Sequence, residues 1–173
     1  MTFAWKLQLL IAASLAAGCA SMMSSSGTAA ANLAPTAGNR AAGTVTFTPM
    51  GDRVRVVAKV TGLTQGMHGF HIHEKGDCSA ADAMSAGGHF NPTNKPHGNP
   101  AAGDHHGGDM PMLEADAGGN AALDVTLDTI TLDTGGNGIV GRAVIVHNDP
   151  DDYKTQPTGN SGARVACGVI AAA

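Results

Sequence analysis

Histidine is the residue type that points most directly to chemistry in this chain, which has eight histidines among 173 residues. Imidazole binds copper and zinc well, because its neutral ring nitrogen suits borderline-soft divalent ions. Six histidines and one aspartate are spaced in a way that predicts two adjacent metal sites. These candidate ligands lie in five short segments: Gly69–His73, Gly88–Pro92, Pro96–Gly98, His106–Asp109 and Val146–His147.

The first pair of candidate ligands, His71 and His73, lies in a short alternating run. Residues two apart in a β-strand point to the same face, so both imidazoles would face one way. Phe70 and Ile72 would then point to the opposite face, toward the core. His68 shares the face of Phe70, and we expect it to be a hydrogen-bonded structural histidine.

The second group of candidates combines three imidazoles with one carboxylate. This is a ligand set of tetrahedral zinc sites, in which the carboxylate also offsets the charge of the ion. His105 is adjacent to a candidate but is not expected to bind, because only His106 has the three-residue step to the aspartate. The predicted zinc ligands are His89, His97, His106 and Asp109.

A copper site is predicted from the remaining imidazoles. His147 ends a predicted strand and can complete a site with His71 and His73. His89 is then left as a ring that could bridge the two ions, with one metal on each nitrogen. Such a shared ring explains why so many ligands occur in so short a domain.

The residues that must position these ligands are predicted to form strands. In Arg53–Val60, valine and alanine alternate with arginine and lysine, which indicates a half-buried strand. No convincing helical period occurs, so the body is expected to be all-β, a sandwich or flattened barrel. Further strands are predicted at Gly43–Thr48, Met67–His73, Ala122–Leu127, Ile139–His147 and Arg164–Ile170.

Two long segments lack a strand pattern, Glu74–Leu113 and His147–Ala163. Loops of this length inside a compact domain are usually functional or disordered. These two contain four of the six candidate histidines, so we expect them to be ordered around metal.

The amino-terminal residues are predicted to be an export signal rather than part of the fold. The apolar run Leu7–Ala17 is too short for a stable membrane anchor and fits a signal-peptide core. It ends in Leu15–Cys19, which resembles a bacterial lipoprotein cleavage site with Cys19 lipidated. Ordinary cleavage further on, around Ala29–Ala31, is the alternative. We therefore expect a signal peptide at 1–18, a flexible tether at 19–41 and one folded domain at 42–173, in the periplasm or cell envelope.

The cysteine count and the net charge limit the compartment and the partners that we expect for this chain. Three cysteines is an odd number, and a lipid on Cys19 would leave Cys78 and Cys167 as one pair. They could form a disulfide in an oxidising compartment, or remain as two buried free thiols. The formal net charge of −4 argues against nucleic acid as a partner, because phosphate binding needs clustered lysine and arginine.

Four segments closely resemble copper/zinc superoxide dismutase of the bacterial exported type, and the likeness covers nearly all of 42–173. The resemblance implies a Greek-key β-sandwich or flattened eight-stranded barrel with two long functional loops. It also implies disproportionation of superoxide to dioxygen and hydrogen peroxide, by a redox-cycling copper bridged to zinc through a histidine. The matching segments are Gly69–Glu74, Gly88–Pro92, His106–Asp109 and Gly159–Ile170.

The same resemblance implies roles for individual residues. Arg164 would lie beside the copper and orient the anion, and His89 would be catalytic as the bridge. Asp151 would be the carboxylate that orients one copper and one zinc histidine. Cys78 and Cys167 would form the disulfide of the subunit, and a homodimer is among the implied assemblies. One copper per subunit would bind His71, His73, His89 and His147, and one zinc would bind His89, His97, His106 and Asp109.

Two other classes of protein would use part of this ligand set. A non-catalytic copper carrier on the same fold would need the copper ligands but not Arg164. A structural zinc protein would have no use for His71, His73 and His147 together. The presence of Arg164 with all seven ligand positions favours the enzyme.

Overall fold

The computed structural model describes residue 1, residues 27–133 and residues 135–173. The predicted signal peptide, Cys19 and the first part of the tether lie outside the described residues. No helix in the described ranges is long and apolar enough to cross a membrane. The strands are β1 Ala29–Pro35, β2 Ala42–Met50, β3 Arg53–Thr61, β4 Gly66–His68, β5 Phe70–His73, β6 Leu113–Ala115, β7 Ala121–Leu127, β8 Ala143–His147 and β9 Arg164–Ala172.

The strands form one antiparallel sheet in the order β4-β6-β7-β3-β2-β1-β9-β8-β5. β4 and β5 lie at opposite ends of this sheet, yet Gly69 alone separates them in sequence. The segment therefore brings the two ends together and nearly closes the sheet into a barrel. The all-β expectation is confirmed, with nine described strands rather than eight, and the predicted strand Met67–His73 divides at Gly69.

Gly69 is needed at this division because another chain segment approaches its backbone closely. A Cβ at this position would lie 2.7 Å from the Oγ of Ser161, which real Cβ atoms essentially never tolerate. Glycine therefore lets the chain change partners here without displacing the loop that contains Ser161.

The core follows the alternation that the sequence predicts. In β3 the valines and alanine on one face are buried, whereas Arg53, Arg55 and Lys59 on the other face are exposed. Burial of such apolar side chains is the main stabilising term of the barrel. The largest fully buried apolar side chains are Phe47, Phe70, Ile72, Met110, Leu113, Ile130, Ile139, Ile145 and Ile170.

The expected tether is wrong from Ala29 onward, because β1 occupies Ala29–Pro35. This strand pairs with β2 on one side and β9 on the other. Ala29, Ala31 and Leu33 face the core and are buried. Small alanines give a weak hydrophobic pattern, so pairing with two neighbouring strands decides the conformation. The folded body therefore begins at Ala29 rather than Ala42.

Both long irregular segments are present as predicted. The first runs over 74–112, between β5 and β6, with a short 3-10 helix at Met84–Ala86; the second runs over 148–163, between β8 and β9. A disulfide between Cys78 and Cys167 joins the first loop to β9, with Cα atoms 5.8 Å apart. This pairing confirms the expected bond.

Candidate metal centre

Strand β5 presents two histidines toward the loops, as its alternation predicts. His71 and His73 are fully buried on one face, and Phe70 and Ile72 are buried in the core on the other. β8 pairs with β5 and ends at His147, whose backbone N–H donates to the carbonyl of Gly69 at 2.8 Å. The hydrogen-bonding register of the two strands thus places three imidazoles together.

The structure brings all seven predicted ligands into two groups that share one ring. Within each group the candidate ligand atoms lie within 4.8 Å of one another. His89 belongs to both groups, and its ring stacks on that of His71 with centroids 3.9 Å apart. The first group is His71, His73, His89 and His147; the second is His89, His97, His106 and Asp109.

Six buried ring nitrogens in these groups have no hydrogen-bond partner. Buried polar atoms in native proteins are nearly always satisfied, so six converging exceptions fit a cation site at each group. Nδ1 of His97 lies 3.0 Å and Nδ1 of His106 3.4 Å from the carboxylate of Asp109, without hydrogen-bond geometry. The donor set therefore fits bound metal. The free atoms are Nδ1 of His71, His97 and His106, and Nε2 of His73, His89 and His147.

The other nitrogen of several rings is fixed by a hydrogen bond. Nδ1 of His73 donates to the carbonyl of Gly87 at 2.9 Å, and Nδ1 of His147 donates to that of Gly162 at 3.3 Å. Nδ1 of His89 donates to Asp109 at 2.9 Å, so its Nε2 faces the first group. Such bonds set the tautomer and orientation of a metal-binding imidazole.

Asp151 connects the two groups by a hydrogen bond to one histidine of each. Its carboxylate accepts from Nε2 of His71 at 2.7 Å and from Nε2 of His97 at 2.9 Å. The carboxylate also accepts from the backbone N–H of Tyr153 at 2.7 Å, while the Asp151 N–H donates to Sδ of Met112 at 3.2 Å. One carboxylate in the second long loop therefore orients one ring of each group.

Burial keeps the imidazoles of the first group neutral. It lowers the pKa of His73 and of His147 well below the usual value. It also lowers the pKa of His89 to about 4, although the hydrogen bond to Asp109 acts in the opposite direction. Neutral rings are the form that binds metal, so burial favours an ion in this group at neutral pH.

The second group is electrostatically different because it contains a carboxylate. Burial raises the pKa of Asp109, but the neighbouring imidazoles of His106, His89 and His97 outweigh it and hold that pKa far below normal. Burial lowers the pKa of His97, but Asp109 and Asp151 outweigh it and raise that pKa to about 9. The surroundings of His97 therefore favour positive charge.

An open cleft of about 690 Å³ leads to the first group, and both His147 and Arg164 line it. The guanidinium of Arg164 donates to the carbonyls of Ala83 at 2.7 Å and Gly87 at 2.6 Å. These two bonds hold a positive charge at the wall of the cleft, where it would meet an entering anion.

A family model described as copper/zinc superoxide dismutase (SODC) matches residues 41–170. The chain belongs to the copper/zinc superoxide dismutase family. It is thus an oxidoreductase, and dismutation of superoxide is the activity that the family supports. Among solved structures, it is similar to one titled "Crystal Structure Analysis of the clock protein EA4", at 41% sequence identity and a TM-score of 0.76. That match covers 84% of this chain and 94% of the other.

The remaining two histidines lie outside both groups, as predicted. His68 is buried, and its ring nitrogens lie 2.8 Å from the carbonyl of His147 and 2.9 Å from that of Thr64. Nδ1 of His105 contacts the carbonyl of His106 at 2.7 Å. Neither ring belongs to a group of described residues that could hold an ion.

Sequence reasoning missed two residues that support the site. Met112 accepts a hydrogen bond from the Asp151 amide, and Gln156 contacts the backbone of His97. Neither residue type suggests a metal site, and both depend on contacts between segments far apart in sequence. Only the position of Gln156 in the second irregular loop hinted at a functional role.

Proposed function

We propose that copper binds the all-imidazole group and zinc the group with the carboxylate. Four neutral nitrogen donors suit copper in both of its common oxidation states. Three imidazoles with one carboxylate are a common tetrahedral set for zinc. The proposed copper ligands are His71, His73, His89 and His147; the proposed zinc ligands are His89, His97, His106 and Asp109.

The proposed reaction turns two superoxide ions and two protons into dioxygen and hydrogen peroxide. Bound copper would supply the one-electron redox chemistry, which zinc does not have. The observation that carries this proposal is the membership of His89 in both groups. Its Nε2 faces the copper group and would hold a proton there for transfer to the reduced substrate.

Arg164 is proposed to bind and orient the anion. The net charge of the chain is negative, so attraction of superoxide depends on local positive charge. The guanidinium lies in the same cleft as His147 and is held by two loop carbonyls. A copper carrier would not need this arrangement, which favours the enzyme.

Reconstitution with chosen metals tests the proposal. Protein loaded with copper and zinc should remove superoxide in a riboflavin-driven assay, whereas protein loaded with zinc alone should not. Equal activity of the two forms would contradict a copper-dependent enzyme. Two tightly held ions per chain are also expected, and no more than one under full loading would refute the shared-ring arrangement.

We also propose that the enzyme is exported as a lipoprotein and protects the cell envelope from superoxide. Structural disulfides are typical of oxidising compartments and rare elsewhere, and Cys78 and Cys167 form one. Cleavage at Ala29–Ala31 would cut into β1, whereas cleavage before Cys19 leaves this strand whole. These observations support export with processing upstream of the barrel.

The mass of the mature amino-terminal peptide tests this proposed location. A diacylglycerol-modified Cys19 in the membrane fraction is expected, and Cys19→Ser should release the enzyme from that fraction. A mature protein that begins at an unmodified residue after Cys19 would contradict the lipid anchor.

A further inference from the structure

Gln156 is an exposed residue of the second long loop, yet both ends of its side-chain amide contact a single buried residue. Its Oε1 accepts from the backbone N–H of His97 at 2.8 Å, and its Nε2 donates to the carbonyl of His97 at 2.9 Å. The orientation of the amide is fixed, because a backbone N–H can only donate and a carbonyl can only accept. Gln156 therefore bonds His97 as a neighbouring strand would.

His97 needs such a partner because its own segment is irregular. No strand occurs between β5 and β6 in the described residues, so His97 has no sheet ladder of its own. Its ring is held at Nε2 by Asp151, which is also in the second long loop. One loop thus holds the ring of His97 through Asp151 and the backbone of His97 through Gln156.

The segment that presents Gln156 is organised by its own hydrogen bonds. Asp152 accepts from the backbone N–H groups of Lys154 and Thr155, each at 2.8 Å, and from the Thr155 hydroxyl at 2.6 Å. The Gln156 amide also donates to the carbonyl of Lys154 at 3.2 Å. Contacts within its own loop therefore place the Gln156 side chain.

We infer that Gln156 is a positioning residue for zinc, which fixes the backbone of His97 so that its Nδ1 points into the second group. This inference rests on the proposed assignment of His97 to zinc. Residues that orient a ligand typically change metal affinity by about 10–100-fold when removed. The first group contains no residue that Gln156 contacts, so copper affinity should change little.

Metal affinities of three purified full-length variants test the inference, by chelator competition with zinc alone and with copper alone. Gln156→Ala should weaken zinc binding about 10–100-fold and copper binding less than about twofold. Gln156→Glu keeps the acceptor for the His97 N–H but loses the donor, so its zinc affinity should fall between wild type and Gln156→Ala. Gln65→Ala, at an exposed glutamine before β4, is the matched control and should bind both metals normally.

Amide hydrogen exchange of the metal-free protein provides a readout that does not depend on activity. The His97 amide should exchange about tenfold or more faster in Gln156→Ala than in Gln65→Ala, because its acceptor is gone. Zinc affinity unchanged within about twofold would overturn the inference. Equal losses of zinc and copper affinity, with a lower melting temperature of the metal-free protein, would overturn it too, because they indicate a general structural role. Both outcomes leave the dismutase assay as a separate test of the proposed function.

Discussion

At the scale of single residues, the two nitrogens of each imidazole have different partners. Nε2 of His73 and of His147 is free and points into the first group, whereas Nδ1 of each donates to a backbone carbonyl. His71 is reversed, because Asp151 takes its Nε2 and leaves Nδ1 free. The sequence therefore determines which residues are ligands. The hydrogen-bond partner of the other ring nitrogen determines how each ring is oriented.

Removal of His147 should affect copper binding but not zinc binding. His147→Ala deletes a ligand that belongs to the first group only, so copper-dependent activity should fall by at least about two orders of magnitude while zinc stays bound. Metal content and superoxide removal, measured on the same sample, check this. His105→Ala is the control and should keep both metals. Full activity of His147→Ala would refute the copper assignment.

Removal of Arg164 should slow the capture of superoxide without loss of metal. Arg164→Ala should lower the second-order rate by about tenfold or more, since it deletes the positive charge that lines the cleft. Arg53→Ala removes the same charge from an exposed position in β3, and its rate should change little. The wild-type rate should also fall with ionic strength, because salt screens attraction of the anion. Pulse radiolysis measures the rate of each variant and the dependence of the wild-type rate on ionic strength. Equal rates for the two variants would remove Arg164 from the mechanism.

At the scale of elements, β1 is the strand that completes the sheet between β2 and β9. Its first residue, Ala29, pairs with Phe47 of β2 and Ala172 of β9. Each missing residue here leaves backbone groups of two neighbouring strands unpaired. The integrity of the barrel thus depends on chain that precedes the region matched by the family model.

Truncation tests the contribution of this strand. A chain that begins at Asn32 should melt about 10 °C lower than one that begins at Gly27, because it loses several ladder hydrogen bonds worth about 1 kcal/mol each. Calorimetry of the two metal-free proteins measures the difference. Identical melting temperatures would mean that the first three residues of β1 do not stabilise the barrel.

At the scale of the whole molecule, the disulfide joins the loop that carries much of the site to the strand that carries Arg164. Cys78 lies in the first long loop and Cys167 in β9, at a sequence separation of 89. The carbonyls that hold Arg164, at Ala83 and Gly87, follow Cys78 in the same loop. The bond therefore restrains both sides of the cleft.

Loss of the bond should destabilise the chain. A closed loop of this length contributes about 4 kcal/mol on the chain-entropy model, so the double variant Cys78→Ser, Cys167→Ser should melt about 10 °C lower than wild type. Reductant should lower the melting temperature of the wild type but not that of the double variant. An unchanged melting temperature in both comparisons would show that the bond adds no stability.

The expected homodimer stays a prediction, which analytical ultracentrifugation would test.

Much of this architecture was predictable because the signals are local. Alternation in Arg53–Val60 specified a strand and its buried face, since side chains in a strand alternate between two sides. The same rule separated His71 and His73 from Phe70 and Ile72. β1 was missed because alanine gives no strong pattern, and its conformation depends on two strands that pair with it from distant parts of the sequence.

The sequence by itself determined the ligand types, most of the strands and the pair of cysteines, because these depend on residue identity and on a period of two. Tertiary structure alone decided which nitrogen of each ring is free, where Gln156 acts, and how the ends of the sheet meet at Gly69. Those features arise from contacts between residues far apart in the chain. A local pattern contains no record of such contacts, so the second irregular loop could be expected to be functional, but the contact of Gln156 with His97 could not be named.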